Sequence, residues 1–96
     1  MKATGIRPQV QEEIINAAKK NRIKKLIIFG SRARGDFRRT SDIDLAANGG
    51  DFNMFAVDLE ETFTLLKFDL INLDGPVEDA LLESINKEGR IIYEEV

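Results

Sequence analysis

Four short strand-like runs alternate along this chain with segments whose apolar residues recur at helical spacing. That alternation confines the chain to α/β and α+β architectures. Val10, Ile14, Ala17 and Ala18 follow Pro8, which suits a first helical turn, and predict an amphipathic helix over 8–21. Leu26-Ile27-Ile28-Phe29 is a continuous apolar run ending at Gly30 and reads as a buried strand. Ser31 to Gly35 reads as a turn or short helix opening off it. Asp42-Ile43-Asp44-Leu45-Ala46 alternates polar and apolar, the period of a strand with one buried face. Asn48-Gly49-Gly50-Asp51 marks a turn, with Asp51 as helix cap. Phe55, Leu59, Phe63 and Leu66 predict a core-packed helix over 52–66. Phe68 to Leu73 is a third strand. Asp74-Gly75-Pro76 turns into a helix with the stripe Val77, Leu81 and Ile85, ended by Gly89. Residues 90–94 form the last strand. The expected fold is a mixed sheet of about four strands flanked by helices, and the short link between the first two strands favours an antiparallel pair.

A chain of 96 residues holds one core, so residues 1–96 are expected to be one domain. Hydrophobic residues at 43% and charged residues at 32% are the mix of an ordinary globular protein and argue against disorder. No apolar run is long enough for a membrane span, and the first residues lack a signal-peptide core, so a cytoplasmic location is expected. With no histidine and no cysteine, His-based general base catalysis, disulfides and thiolate or imidazole zinc sites are excluded. Any metal must sit on oxygen, which points to magnesium, manganese or calcium. The net charge of −3 is not that of a nucleic-acid-coating protein, and nothing in the sequence points directly to nucleic acid. Locally the charge is uneven. Residues 19–39 carry nine Lys and Arg against Asp36 alone, whereas residues 74–96 are predominantly acidic. An anionic ligand is expected at the basic third.

Three acidic residues stand inside predicted strands. Asp42 and Asp44 are two apart, so their side chains leave the same face with Cα atoms about 6.5–7 Å apart. Asp69 lies between Phe68 and Leu70 on the third strand. If the second and third strands are neighbours, a spacing of about 4.8 Å brings Asp69 to the other two. Like charges gathered this way cost about 4 kcal/mol per pair at 4 Å and a surface-like dielectric, a cost that divalent cations reverse. Gly30-Ser31 ends the first strand, where glycine lets a phosphate approach the backbone and a helix start offers N–H donors. Ser31 adds a hydroxyl, and Arg32 and Arg34 are candidate charge-assisted phosphate ligands.

Gly30-Ser31-Arg32-Ala33-Arg34-Gly35, followed by Ser41-Asp42-Ile43-Asp44-Leu45, resembles the signature of the polymerase-beta-like nucleotidyltransferase superfamily. In length and wording it is similar to the minimal nucleotidyltransferase branch. The resemblance implies that fold, and transfer of a nucleoside monophosphate, AMP from ATP or the equivalent from another nucleoside triphosphate, to an acceptor hydroxyl. It implies two magnesium ions, with manganese as the alternative, on Asp42, Asp44 and Asp69, the last also taking the acceptor's proton. It implies Gly30 and Ser31 at the triphosphate, with Ser41 beside them in the same signature.

A single small domain has little surface left for a deep pocket, so a partner chain or a homodimer is expected to complete the site. The branch resembles antitoxins paired with HEPN-type helical proteins, some of which they silence by adding AMP to a tyrosine. Two rival readings remain: an inactive relative that masks its partner, and a transferase acting on a small molecule.

Overall fold

The computed structural model describes residues 4–95. Helix α1 spans Pro8–Lys20, strand β1 Lys25–Phe29, helix α2 Ser31–Arg34, strand β2 Ile43–Asn48, helix α3 Phe52–Leu59, strand β3 Phe68–Asn72, helix α4 Asp79–Glu88 and strand β4 Arg90–Glu94. The sheet order is β3-β2-β1-β4. β1 runs antiparallel to both β2 and β4, while β2 and β3 are parallel, so the sheet is mixed as expected. The parallel pair is joined through α3, the kind of crossover that parallel neighbours require.

Pro8 sits at the first turn of α1, where its missing N–H costs nothing. Val10, Ile14, Ala17 and Ala18 form the buried stripe of that helix. Asn21, just past its end, donates from Nδ2 to the Ala17 carbonyl (2.9 Å) and to Asp58 Oδ2 on α3 (2.8 Å), tying the two helices together. Asp51 caps α3 by accepting from the Met54 N–H at 3.1 Å.

Both faces of the sheet are covered. Leu26, Ile28, Ile43, Leu45 and Ala47 pack with α1 and α3 in the larger core. Ile27, Phe29, Ala46 and Ile71 face the other way and pack against Leu81 and Ile85 of α4. The expectation of one buried face on β2 is therefore corrected. Its second face is apolar at Ala46, beneath α4, and turns acidic only toward its N-terminal end.

The expected helix over 52–66 stops at Leu59. Glu60, Glu61 and Thr62 each donate a backbone bond three residues back, and the Thr62 hydroxyl donates to the Leu59 carbonyl at 2.7 Å. The threonine thus competes with helix continuation. Phe63, expected in the core, is 81% exposed, and only Leu66 of that pair returns to pack on the core. Helix α4 begins at Asp79, so Val77 precedes it and its buried stripe is Leu81 and Ile85.

Candidate active site

The C-terminal end of β1 and the N-terminal ends of β2 and β3 share one end of the sheet. Asp44 is in register with Phe29 on one side and Asp69 on the other. At the usual strand separation, adjacent Cα atoms in that row are about 4.8 Å apart. Asp42 stands one residue before β2 and is exposed, as is Asp69. Alternation puts all three on the α4 side of the sheet, in the part of that face left beyond Ala46, Phe29 and Ile85. Asp69 thus shares a face of the sheet with Asp42 and Asp44 and a register row with Asp44.

Their mutual repulsion shows in Asp44. Its carboxyl is pushed from 3.8 up to about 6, first by burial and then by the charges of Asp69 and Asp42. Arg34 and Arg32 pull it the other way and do not prevail. Among the described residues, no three acidic side chains already converge tightly enough to hold an ion. The donor chemistry nevertheless fits a divalent cation: three carboxylates, no softer ligand, and a half-buried member whose raised pKa a nearby positive charge would lower.

Gly30 lies against this cluster. Its backbone has φ 72° and ψ −156°, a region open essentially to glycine alone. A Cβ there would collide with the Asp44 carboxylate. Glycine is therefore required twice, by the bend and by the acidic side chain resting on it. Ser31 follows at the first position of α2, half-buried. Helix α2 has only four residues, closed by Gly35 in the left-handed region, so a helix dipole adds little here. The close approach that Gly30 permits is made in this structure by the Asp44 carboxylate.

The two arginines of the motif part company. Arg34 is exposed, and its guanidinium pairs with Glu88 at 2.8 Å and Asp36 at 3.3 Å, which hold it in the charged form. It stays near enough to act on the Asp44 charge. Arg32, expected beside it as a phosphate ligand, is 1% exposed. Its Nε and Nη2 both donate to the Ser41 carbonyl, at 3.1 and 2.9 Å, and Nη1 donates to the Thr4 carbonyl at 2.9 Å. Nη2 also reaches the carbonyls of Arg38 and Arg39 at 3.4 and 3.3 Å, and the guanidinium lies 5.0 Å from the Phe37 ring centroid. Those bonds use the donors that would otherwise meet a phosphate, and the expectation for Arg32 is corrected on that ground. Ser41 is likewise engaged locally, its hydroxyl accepting from the Arg38 N–H at 2.8 Å. Phe29 was not foreseen at the site; it is buried and in register with Asp44 on the neighbouring strand.

A groove of about 580 Å³ opens at the same end of the molecule, between Ile6, Phe37, Thr40, Phe63 and Leu66. Ile6 and Leu66 belong to the larger core, and Arg32 also lines the groove.

The family model described as "Polymerase beta, Nucleotidyltransferase" matches residues 12–96. A protein of Methanocaldococcus jannaschii, provisionally named a protein adenylyltransferase, is 40% identical over 95 residues, covering 85% of this chain and 93% of that one. Among solved structures, a toxin–antitoxin crystallised with AMP-PNP superposes with a TM-score of 0.70 at 23% identity, covering 88% of this chain and 73% of the other. A mutant of the MntA–HpeT toxin–antitoxin gives 0.69 at 21% identity over the same shares. At those identities the structural likeness is one of fold. By the family match over residues 12–96 and the relative 40% identical to it, this chain belongs to the polymerase beta nucleotidyltransferase family.

Proposed function

We propose that this nucleotidyltransferase moves AMP from ATP to a protein hydroxyl, a tyrosine on a HEPN-type helical toxin, and so acts as an antitoxin. The observation that carries the chemistry is the register of Asp44 with Asp69 beside the Gly30 bend. The protein acceptor is supported by the archaeal relative named an adenylyltransferase of proteins, and the toxin by the toxin–antitoxin structures that share the fold.

In this reading Asp42, Asp44 and Asp69 hold two divalent ions, magnesium or manganese. Bound there, such ions would supply the positive charge that neutralises the leaving pyrophosphate and acidifies the acceptor hydroxyl. The chain's own groups do the rest. Gly30 and Ser31 receive the triphosphate, and Arg34 exchanges its carboxylate partners for phosphate oxygens. Asp69, exposed at the start of β3, accepts the proton of the attacking hydroxyl. The acceptor oxygen bonds to the α-phosphorus, the bond to the bridging oxygen breaks, and pyrophosphate leaves. The open carboxylate face leaves the acceptor to be presented by the partner chain.

The test is incubation of the chain with ATP labelled at the α-phosphate, magnesium and the candidate toxin. Label is expected on a toxin tyrosine, with none when Asp44→Asn replaces the wild type. A complex that silences the toxin without labelling it would replace transfer by masking.

A further inference from the structure

The ladder between β1 and β2 ends at Phe29 and Asp44, and beyond it the Gly30-Ser31 turn and the loop of residues 36–41 that delivers Asp42 leave the sheet. Asp42 stands outside β2, and the loop before it is largely exposed. Arg32 crosses that gap. It is anchored in α2 immediately after Ser31 and stands alone among the described residues as a buried charged side chain. Its guanidinium gathers the carbonyls of Arg38, Arg39 and Ser41, the last through two donors, and the Thr4 carbonyl of the N-terminal segment. Phe37 closes one side of the guanidinium. Gly5 packs so closely on Phe37 and Arg32 that a Cβ would clash. Arg90 of β4 donates to the Arg32 carbonyl at 3.2 Å, fixing the clamp's own backbone. A planar five-donor fork can collect several converging carbonyls, which an ammonium cannot do in the same plane.

We infer that Arg32 is a positioning residue: it fixes the Ser41–Asp42 segment against the Gly30–Ser31 turn and thereby sets the divalent-cation affinity of the carboxylate site without touching the nucleotide. This rests on the proposed metal role of Asp42. Groups that orient a metal ligand commonly change affinity by 10–100-fold when lost.

The experiment compares wild type, Arg32→Lys and Arg32→Gln by two measurements, neither of which needs turnover. One is manganese binding by calorimetry; the other is the rate of tryptic cleavage after Arg38 and Arg39. Arg32→Gln is expected to bind manganese about tenfold more weakly and to be cut in the loop several times faster. Arg32→Lys is expected between the two, since one ammonium recovers some of the carbonyl contacts. In the transfer assay, the magnesium needed for half-maximal rate rises for both variants, while kcat at saturating magnesium stays within about threefold of wild type. If Arg32→Gln does not fold, Arg32→Lys carries the comparison. A folded variant with an opened loop and unchanged manganese affinity overturns the inference, and so does a loop as resistant as wild type. A wild type that binds no manganese sinks the transfer reading itself, an outcome read before any variant is made.

Discussion

Replacing Asp44 by asparagine should make the metal-free protein more stable, and the size of the gain follows from the site. The carboxyl is raised from 3.8 to about 6 by burial and by Asp69 and Asp42. The folded state therefore favours the protonated form more than the unfolded chain does. At about 1.4 kcal/mol per unit, the ceiling on the cost of ionising Asp44 in the fold is about 3 kcal/mol. Asp44 is only partly buried, and solvent screening brings the net cost to about 1–1.5 kcal/mol. The sign sets the pH window. Between about 4 and 6 the folded state binds more protons than the unfolded chain, so stability falls as pH rises. Below about 4 both states are protonated and the penalty is absent; above about 6 it is present in full.

Asparagine keeps the shape and removes the charge. In urea with a chelator at pH 7.5, the Asp44→Asn midpoint should lie about 0.5–1 M above wild type, equivalent to about 5–10 °C in Tm for a domain of this size. At pH 4 the difference should have largely gone. Added magnesium should then reverse the order, because it stabilises only the protein that binds it. An equal gain at both pH values would assign the effect to packing rather than charge. A loss at pH 7.5 would refute the repulsion altogether.

Gly30→Ala should cost about 2 kcal/mol or more and abolish transfer, because it forces alanine into φ 72° against the Asp44 carboxylate; urea titration and the label assay read both. Glu88→Gln should leave stability close to wild type, since the Arg34 pair is exposed, yet lower the ATP concentration for half-saturation severalfold by removing one of the carboxylates that compete with phosphate for Arg34. An unchanged ATP dependence would remove Arg34 from the triphosphate site. Phe63→Ser should shift stability by no more than about 0.5 kcal/mol, whereas Phe55→Ala should cost about 3–5 kcal/mol. Comparable losses for the two phenylalanines in thermal melts would restore the longer helix.

The contrast between those phenylalanines also shows where the sequence stops being legible. Strand and helix order was readable because it depends on local periodicity, and Val10-Ile14-Ala17 or Leu26 to Phe29 carry it without help from distant residues. Phe63 kept the helical period yet lost the helix. Thr62 supplies a side-chain hydroxyl that bonds back to Leu59, a local competitor that an apolar count does not register. The common face of Asp42, Asp44 and Asp69 was legible for a related reason. Charges spaced two apart on a strand have few locations to go, and only the pairing of β2 with β3 had to be supplied by the fold.

Arg32 and Arg34 mark the other limit. They are two residues apart, identical in type, and in a four-residue helix whose period cannot assign an inner face. Their different fates are decided by what surrounds them. Arg32 meets four carbonyls of a loop and the N-terminal segment, held close by Gly5 and Phe37, while Arg34 meets the carboxylates of Asp36 and Glu88. Burying a guanidinium is unfavourable unless its donors are met, so convergence of those carbonyls is what makes Arg32 tolerable inside. The same convergence ties the loop before Asp42 to α2. Burial weakens Arg32's hold on its proton, and the Asp44 charge offsets part of that loss, so the buried guanidinium and the carboxylate act on each other across the site.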